Sequence, residues 1–332
     1  MEYSGSFPLF DFRQVRTYPI RERANKVTAA DLVWPEAVRE RVLSVREDIE
    51  HVAEHIIHAR TAGRSVIWMM GAHPIKLGHS PLIIDLIRRG LVSLIATQGA
   101  GSIHDFELAL IGETSENVPR ALPEGLFGMA AETGQYMNDA LAEGYRRGLG
   151  YGESLARMIL GEEMPYRVNF MHPEWSILAA AYAAGVPATV HATIGTDIID
   201  QHPNFDGAAK GGCSGRDFGI FAAKVSELSG GVVVNIGSAV TMPEVLLKAV
   251  SMAANVGCPP EGLISADFDM RPADPAAEGD PSRPDFYYRD LKSIVVRIPR
   301  AFGGHGHYVQ GNFIETVPQL WAALDRRWPA QS

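Results

Sequence analysis

The chain has 332 residues, with 30 lysines and arginines against 39 acidic residues and a formal net charge of −9 at pH 7. That length is enough for a large buried core, and the acidity argues against nucleic acid or an anionic membrane as partner. Only Cys213 and Cys258 are present and no CxxC occurs; with no signal-peptide pattern and no window near the ~20 apolar residues of a membrane span, a cytoplasmic protein is expected.

Residues 1–34 read as an irregular N-terminal arm, and residues 35–332 as a single α/β domain with a helical insert at about 113–167. Helical spacing over 35–62 places Val38, Val42, Val45, Ile49, Val52 and Ile56 on one face. SVIWMMG then predicts a buried strand, 81–89 a helix, LVSLIAT a strand and 103–111 a helix. In the insert, 132–147 and 152–160 predict helices. HPEWSILAAAYAAG predicts a helix, VPATVHA a strand, 217–228 a helix, GGVVVNIG a strand and 243–254 a helix. GLISADFD, SIVVRI and HGHYVQG predict later strands, and 314–326 a closing helix. The Pro-, Ala- and Asp-rich run between Met270 and Pro284 predicts a loop, either mobile or closing over a site. Continuous apolar strands alternating with helices predict a doubly wound, mainly parallel sheet with helices on both faces.

GAHPIKLG, TQGAGS and NIGSAV each follow a predicted strand and precede a helix. In open α/β sheets ligands bind at the carboxyl ends of strands, where glycine lets backbone N–H groups approach a phosphate. Three such junctions suggest a nucleotide or dinucleotide site, although no GxGxxG fingerprint is present. Gly237 and Ser238 in NIGSAV belong to this set, and Lys76 in HPIK is placed to neutralise a pyrophosphate. The alternative for each junction is a tight turn with no ligand.

From residue 71 to 110 the chain resembles deoxyhypusine synthase, a family with an NAD-binding parallel-sheet fold. The family's TSNLISSG, helix, apolar strand and TTAGGVEEDL align without a gap on GAHPIKLG, helix, strand and TQGAGSIHDF. HPEWSILAAAYAAGVPATVHATIGTDIID, NIGSAV, ADFD and RPDFYYRDLK continue the resemblance in order and spacing, from about residue 65 to the C-terminus. It implies NAD as cofactor, contacted by Ala72, His73, Thr97, Gln98, Gly99 and Asp269. It implies that Lys292 forms a covalent imine with the substrate's amine-bearing fragment and that Asp200 holds the substrate cation, with Asp197 nearby. It also implies a homo-oligomer, a dimer or tetramer. The chain departs from the pattern where Met242 and Pro243 stand at the family's catalytic histidine, Asp290 at a tryptophan, Phe286 at a substrate-binding glutamate and Gly195 at an aspartate. A changed substrate pocket is therefore expected.

His305 and His307 alternate along a predicted strand among glycines, so either can replace the missing histidine as a proton shuttle. His191, Asp197, Asp200 and His202 form a polar set that suits a substrate pocket. The same set supports the alternative of a metal-assisted hydrolase or lyase, although its spacing matches no defined metal motif and no metal is assigned. Cys213 is read as non-catalytic. The expected function is NAD-dependent imine chemistry on a small-molecule amine, a polyamine or a protein lysine; a non-catalytic cofactor-binding protein is the remaining alternative.

Overall fold

A computed structural model describes residues 3–41 and 43–328, so Val42 lies outside the described residues. The strands are β1 (Asn25–Val27), β2 (Val66–Met70), β3 (Leu94–Gln98), β4 (Thr114–Glu116), β5 (Ala188–His191), β6 (Val232–Ile236), β7 (Ile264–Asp269) and β8 (His305–Gln310). The helices used below are α1 (Pro35–Glu40), α2 (Glu47–Thr61), α3 (His73–Lys76), α4 (Ser80–Arg88) and α5 (Gly99–Ile111). They continue with α6 (Val118–Ala121), α7 (Ala131–Arg147), α8 (Tyr151–Ile159), α9 (Ile177–Ala183), α10 (Gly207–Val225), α11 (Thr241–Asn255), α12 (Ile298–Ala301) and α13 (Phe313–Arg327).

Six strands form one parallel sheet in the order β5-β3-β2-β6-β7-β8. The chain winds outward from β2 through β3 to β5, returns beside β2 as β6, and winds the other way to β8. This is a doubly wound order, with its switch point between β2 and β6. Alternation along β2 builds both layers: Val66, Trp68 and Met70 join the core under α2, α4 and α13, while Ile67 and Met69 join that under α10 and α11. A further core of Phe106, Met137, Leu141, Tyr151 and Leu155 packs the insert helices against Val190 at the β5 edge.

Four expectations change. The helix predicted over 35–62 is two, α1 and α2, because periodicity reports a buried face and not a break between two faces with different partners. SIVVRI is not a strand: Leu291–Arg297 is a π-helix that runs into α12. The parallel neighbours β7 and β8 need a crossover element between them, and this apolar run supplies it. Gly306 lets it lie close, since a Cβ there would stand 2.0 Å from Val295 O. Helix α10 begins ten residues before the predicted start, capped by Asp206; Gly212 sits inside it because a Cβ would meet the Tyr145 ring at 2.3 Å. Within the arm, β1 pairs antiparallel with β4, and Ile20 N–H donates to the Glu132 carboxylate at 2.7 Å. The segment 270–284 folds over the π-helix, with Ala277 buried against Leu291 and Val295.

Candidate functional site

The carboxyl ends of β2 and β6 meet directly. Gly71 N–H donates to Ile236 O at 3.0 Å, and a Cβ on Gly71 would lie 2.3 Å from Gly237 O. Gly237 has φ +64°, and behind it lies the Phe313 ring, 6.1 Å from that of His73. These glycines bring the two loops into contact at the switch point. Beside it His73 is exposed and Gln98 half-buried, while Ala72 is buried. Lys76 and Asp269 both act electrostatically on His73, and burial holds its pKa below the ordinary imidazole value.

At TQGAGS the glycines serve internal contacts. The Asp197 carboxylate occupies the space a Cβ on Gly99 would take, and Thr97 Oγ1 the space beside Gly101. The Thr97 hydroxyl donates to Met70 O at 3.1 Å. In NIGSAV, Ser238 Oγ accepts from Met242 N–H at 3.2 Å and so serves the start of α11. At these two junctions the Thr97 and Ser238 hydroxyls and the space beside Gly99 thus serve contacts within the chain.

Asp197 and Asp200, expected to hold a substrate cation, already hold one. Lys210, buried in α10, donates to Asp197 at 2.7 Å, to Asp200, and to Thr193 O at 3.2 Å. Asp200 also accepts from Gly195 N–H at 2.6 Å. His191 Nε2 lies 3.1 Å from Thr189 Oγ1, and burial pushes its pKa down to about 4. His202 Nε2 bonds Gly128 O at 2.8 Å. Among the described residues no three His, Cys, Asp or Glu side chains converge on a metal position. The proposed hydrolase set is therefore committed to internal partners.

At the other end of the rim, Asp269 is gripped by Arg271, with Nη2–Oδ2 at 2.7 Å and Nε–Oδ1 at 3.0 Å. Burial opposes ionisation of Asp269, but the side-chain and backbone hydrogen bonds from Arg271 prevail and lower its pKa. Asp290, which replaces the family's tryptophan, is the second partner of Arg271. Lys292 sits two residues on, its Nζ 3.4 Å from the Phe286 ring centroid. Desolvation, then Arg297 and Arg289, lowers its pKa. Asp197 seats against Gly99 at the end of β3, and three strand spacings, roughly 14 Å, separate that corner from the end of β7, beside which Arg271 and Asp290 hold the head of the π-helix that carries Lys292.

His305 and His307 are not at the rim. They pair with Ile264 and Ala266, at the amino half of β8, about 17 and 10 Å below its carboxyl end. The His307 ring packs 4.7 Å from His305 and 5.2 Å from His55 of α2. Because parallel strands send all their carboxyl ends one way, this histidine pair cannot replace a catalytic group in the crevice.

A cavity of about 280 Å³ opens beside α3, walled by Arg23, Lys26, Lys76, His104, Glu107 and Asp197. Glu107 is matched by Arg23 and by the Thr114 and Thr133 hydroxyls. His104 contacts Thr114 Oγ1 at 2.7 Å, and burial pushes its pKa down to about 4, so it is neutral. Among the described residues Lys26 and Lys76 form no ion pair, and they share the lining with Glu116, which accepts from the Tyr18 hydroxyl and Gly128 N–H, so the wall presents cations and a carboxylate together. Sequence reasoning missed Arg23, His104, Glu107 and Lys210. Lys210 had a signal: with Cys213 and Asp217 it falls at i, i+3 and i+7 once α10 is extended backwards.

The class this fold defines is an open, doubly wound parallel α/β protein with its crevice between β2 and β6. No protein-family model matches the chain, and no curated protein matches it in sequence. Among solved structures it is similar to AgrE, in a ternary complex with ornithine and NAD+, with TM-score 0.50 and 14% identity over 89% of this chain and 34% of that one. It is also similar to ArgZ, an arginine dihydrolase from the ornithine-ammonia cycle in cyanobacteria (TM-score 0.48, 14% identity, 86% of this chain and 33% of that one). A protein assigned as a deoxyhypusine synthase from Entamoeba histolytica gives TM-score 0.45 and 10% identity over 96% and 99% of the two chains. The chain thus spans about a third of AgrE and ArgZ, and the AgrE likeness is one of fold. No helix among the described residues is long and apolar enough to cross a membrane.

Proposed function

We propose that this chain is an NAD-dependent enzyme acting on a small amine, with the dinucleotide laid across the loops after β2, β6 and β7 and the amine in the cavity beside Lys76. The observation that carries this reading is the switch point, where glycines of two strand-end loops meet and Asp269 stands on the next strand. His73, Gln98 and the Gly237 backbone would hold the cofactor, and exposed Val240 and Met270 offer it apolar surface. When bound, NAD would supply a hydride acceptor for the carbon that bears the substrate nitrogen. Lys26 and Lys76, with Glu116 in the same wall, suit an amine that also carries an acidic group. AgrE, of which this chain spans about a third, is itself seen with ornithine and NAD+. Among the described residues the metal-assisted alternative finds no group of three ligands.

Aminobutyl-type transfer through Lys292 is a second reading, motivated by an amine shielded by Phe286. With the Asp197 corner roughly 14 Å along the rim from the β7 end that Lys292 flanks, simple amine oxidation is the reading preferred within one chain. Exposed Ile194 and Ile314, following the edge strands β5 and β8, leave apolar surface for the dimer or tetramer.

Calorimetric titration of the purified chain is expected to show NAD+ binding. Asp269→Asn is expected to weaken it about tenfold, the equivalent of ~1.4 kcal/mol. Absence of binding at millimolar NAD+ rejects the cofactor. NADH formation with an amino-acid or diamine panel then separates an enzyme from a non-catalytic binder. If Lys292→Ala abolishes turnover while NAD+ still binds, covalent transfer replaces oxidation as the reading.

A further inference from the structure

We propose that Asp267 is a neutral carboxylic acid in the folded chain, that its Oδ2–H donates to Asn235 Oδ1, and that this proton reserves Arg271 for Asp269 and Asp290. It is a positioning role, and its link to cofactor binding rests on the reading above.

Strand alternation puts Ser265, Asp267 and Asp269 on one face of β7. Asp267 is 1% exposed and Asn235, opposite it on β6, is 0% exposed. Asn235 Nδ2 donates one hydrogen to Asp267 Oδ1 at 2.7 Å and the other to Ser238 O at 3.0 Å. Both bonds orient the amide, since a flipped Asn235 would set oxygen against two acceptors. Two buried acceptors are then left without a donor: Asp267 Oδ2 and Asn235 Oδ1. Buried polar groups are nearly always paired. One proton on Asp267 Oδ2 satisfies both atoms; a bare carboxylate satisfies neither.

The surrounding charges agree. Asp267 faces Asn235 and Ser238 from β6 and its loop, Asp269 and Arg271 from β7 and its loop, Asp290 at the head of the π-helix, and Tyr308 on β8. Three carboxyl groups share one guanidinium, and Arg271 spends its hydrogen bonds on Asp269 and Asp290. Burial, then the Asp290 charge, drives the Asp267 pKa well above the ordinary carboxylate value. Burial also pushes that of Asp290 up to about 6. If Asp267 ionised, it would compete for Arg271 and loosen the grip on Asp269 beside the crevice. Because the native pKa is raised, the folded state binds the extra proton. Stability from this group is complete below the unfolded carboxylate range, near pH 4, and declines as pH rises through the native pKa.

The test needs no nucleotide. Infrared difference spectra at pH 7 are expected to show a protonated-carboxyl C=O band that shifts in heavy water and vanishes in Asp267→Asn. The asparagine amide can donate to Asn235 Oδ1 in place of the acid, so this variant is expected to fold and to melt at or above the wild-type temperature. Wild type is expected to lose melting temperature from pH 7 to 9 relative to Asp267→Asn. A carboxyl band absent from the wild type at pH 7, or parallel pH profiles for the two proteins, overturns the proposal. If NAD+ binds, Asp267→Asn, which keeps a neutral donor to Asn235, is expected to bind it within about twofold of wild type at pH 7, and a loss of about tenfold or more overturns the link to the crevice. If NAD+ does not bind, the cofactor reading fails while the spectroscopic result stands.

Discussion

Lys210→Met is expected to destabilise the fold by about 3–5 kcal/mol, the usual consequence of leaving a buried charge without its partner. Lys210 is 1% exposed, and so nearly are its two carboxylate partners at 5% and 6% side-chain exposure. Methionine fills the volume of the lysine stem, so the loss reports the unpaired charges and not a cavity. Asp197 also seats against the glycine that opens α5, where a Cβ would lie 1.8 Å from its Oδ2. Losing the lysine therefore disturbs both the β5 loop and the head of α5. Urea unfolding of the variant measures the effect. Adding Asp200→Asn is expected to restore part of the stability, since it removes one of the unpaired charges. A change below ~1 kcal/mol would show that water reaches the cluster and that the triad is not a buried ion system.

Arg23→Met is the second large effect, again about 3–5 kcal/mol. The Arg23 and Glu107 side chains are 2% and 1% exposed, with Nη2 and Oε2 at 2.8 Å. They bind the N-terminal arm to α5 and form one wall of the Lys76 cavity. In the wild type, burial opposes ionisation of Glu107, but Arg23 prevails and lowers its pKa. A lowered native pKa stabilises above the unfolded value, near pH 4, and that contribution is lost as pH falls through the native value. Without Arg23 burial dominates and the native pKa rises, so the sign reverses. The defect is expected to be largest at pH 8 and partly relieved at pH 5. Unfolding free energies of the single and double variants, with Glu107→Gln, give the coupling directly. A pH-independent defect would mean that the arm is held by its β1–β4 pairing and packing instead of by charge.

Much of the architecture was legible because its cause is local. Buried parallel strands require continuous apolar runs, and SVIWMMG, LVSLIAT and GGVVVNIG announce themselves that way. Each is closed by a helix of the expected period. The departure at 291–297 shows the limit, since a short β-branched run has the same local signature as a strand or as a buried helix turn. The glycines show another. Gly71, Gly99 and Gly212 look alike in sequence, yet they admit a neighbouring carbonyl, a carboxylate and a tyrosine ring.

The sequence by itself determined the class of the sheet, the order of its elements and the rim on which loops gather, because periodicity and chain breaks depend on neighbours a few residues away. Only the tertiary structure decided which charge meets which: Lys210 with Asp197 and Asp200, Arg23 with Glu107, and Arg271 between Asp269 and Asp290. It also set His305 and His307 at the far end of β8 from the crevice. The physical reason is that strand order and direction bring together residues distant in sequence. A charge finds its partner through that closure and not through its own local pattern.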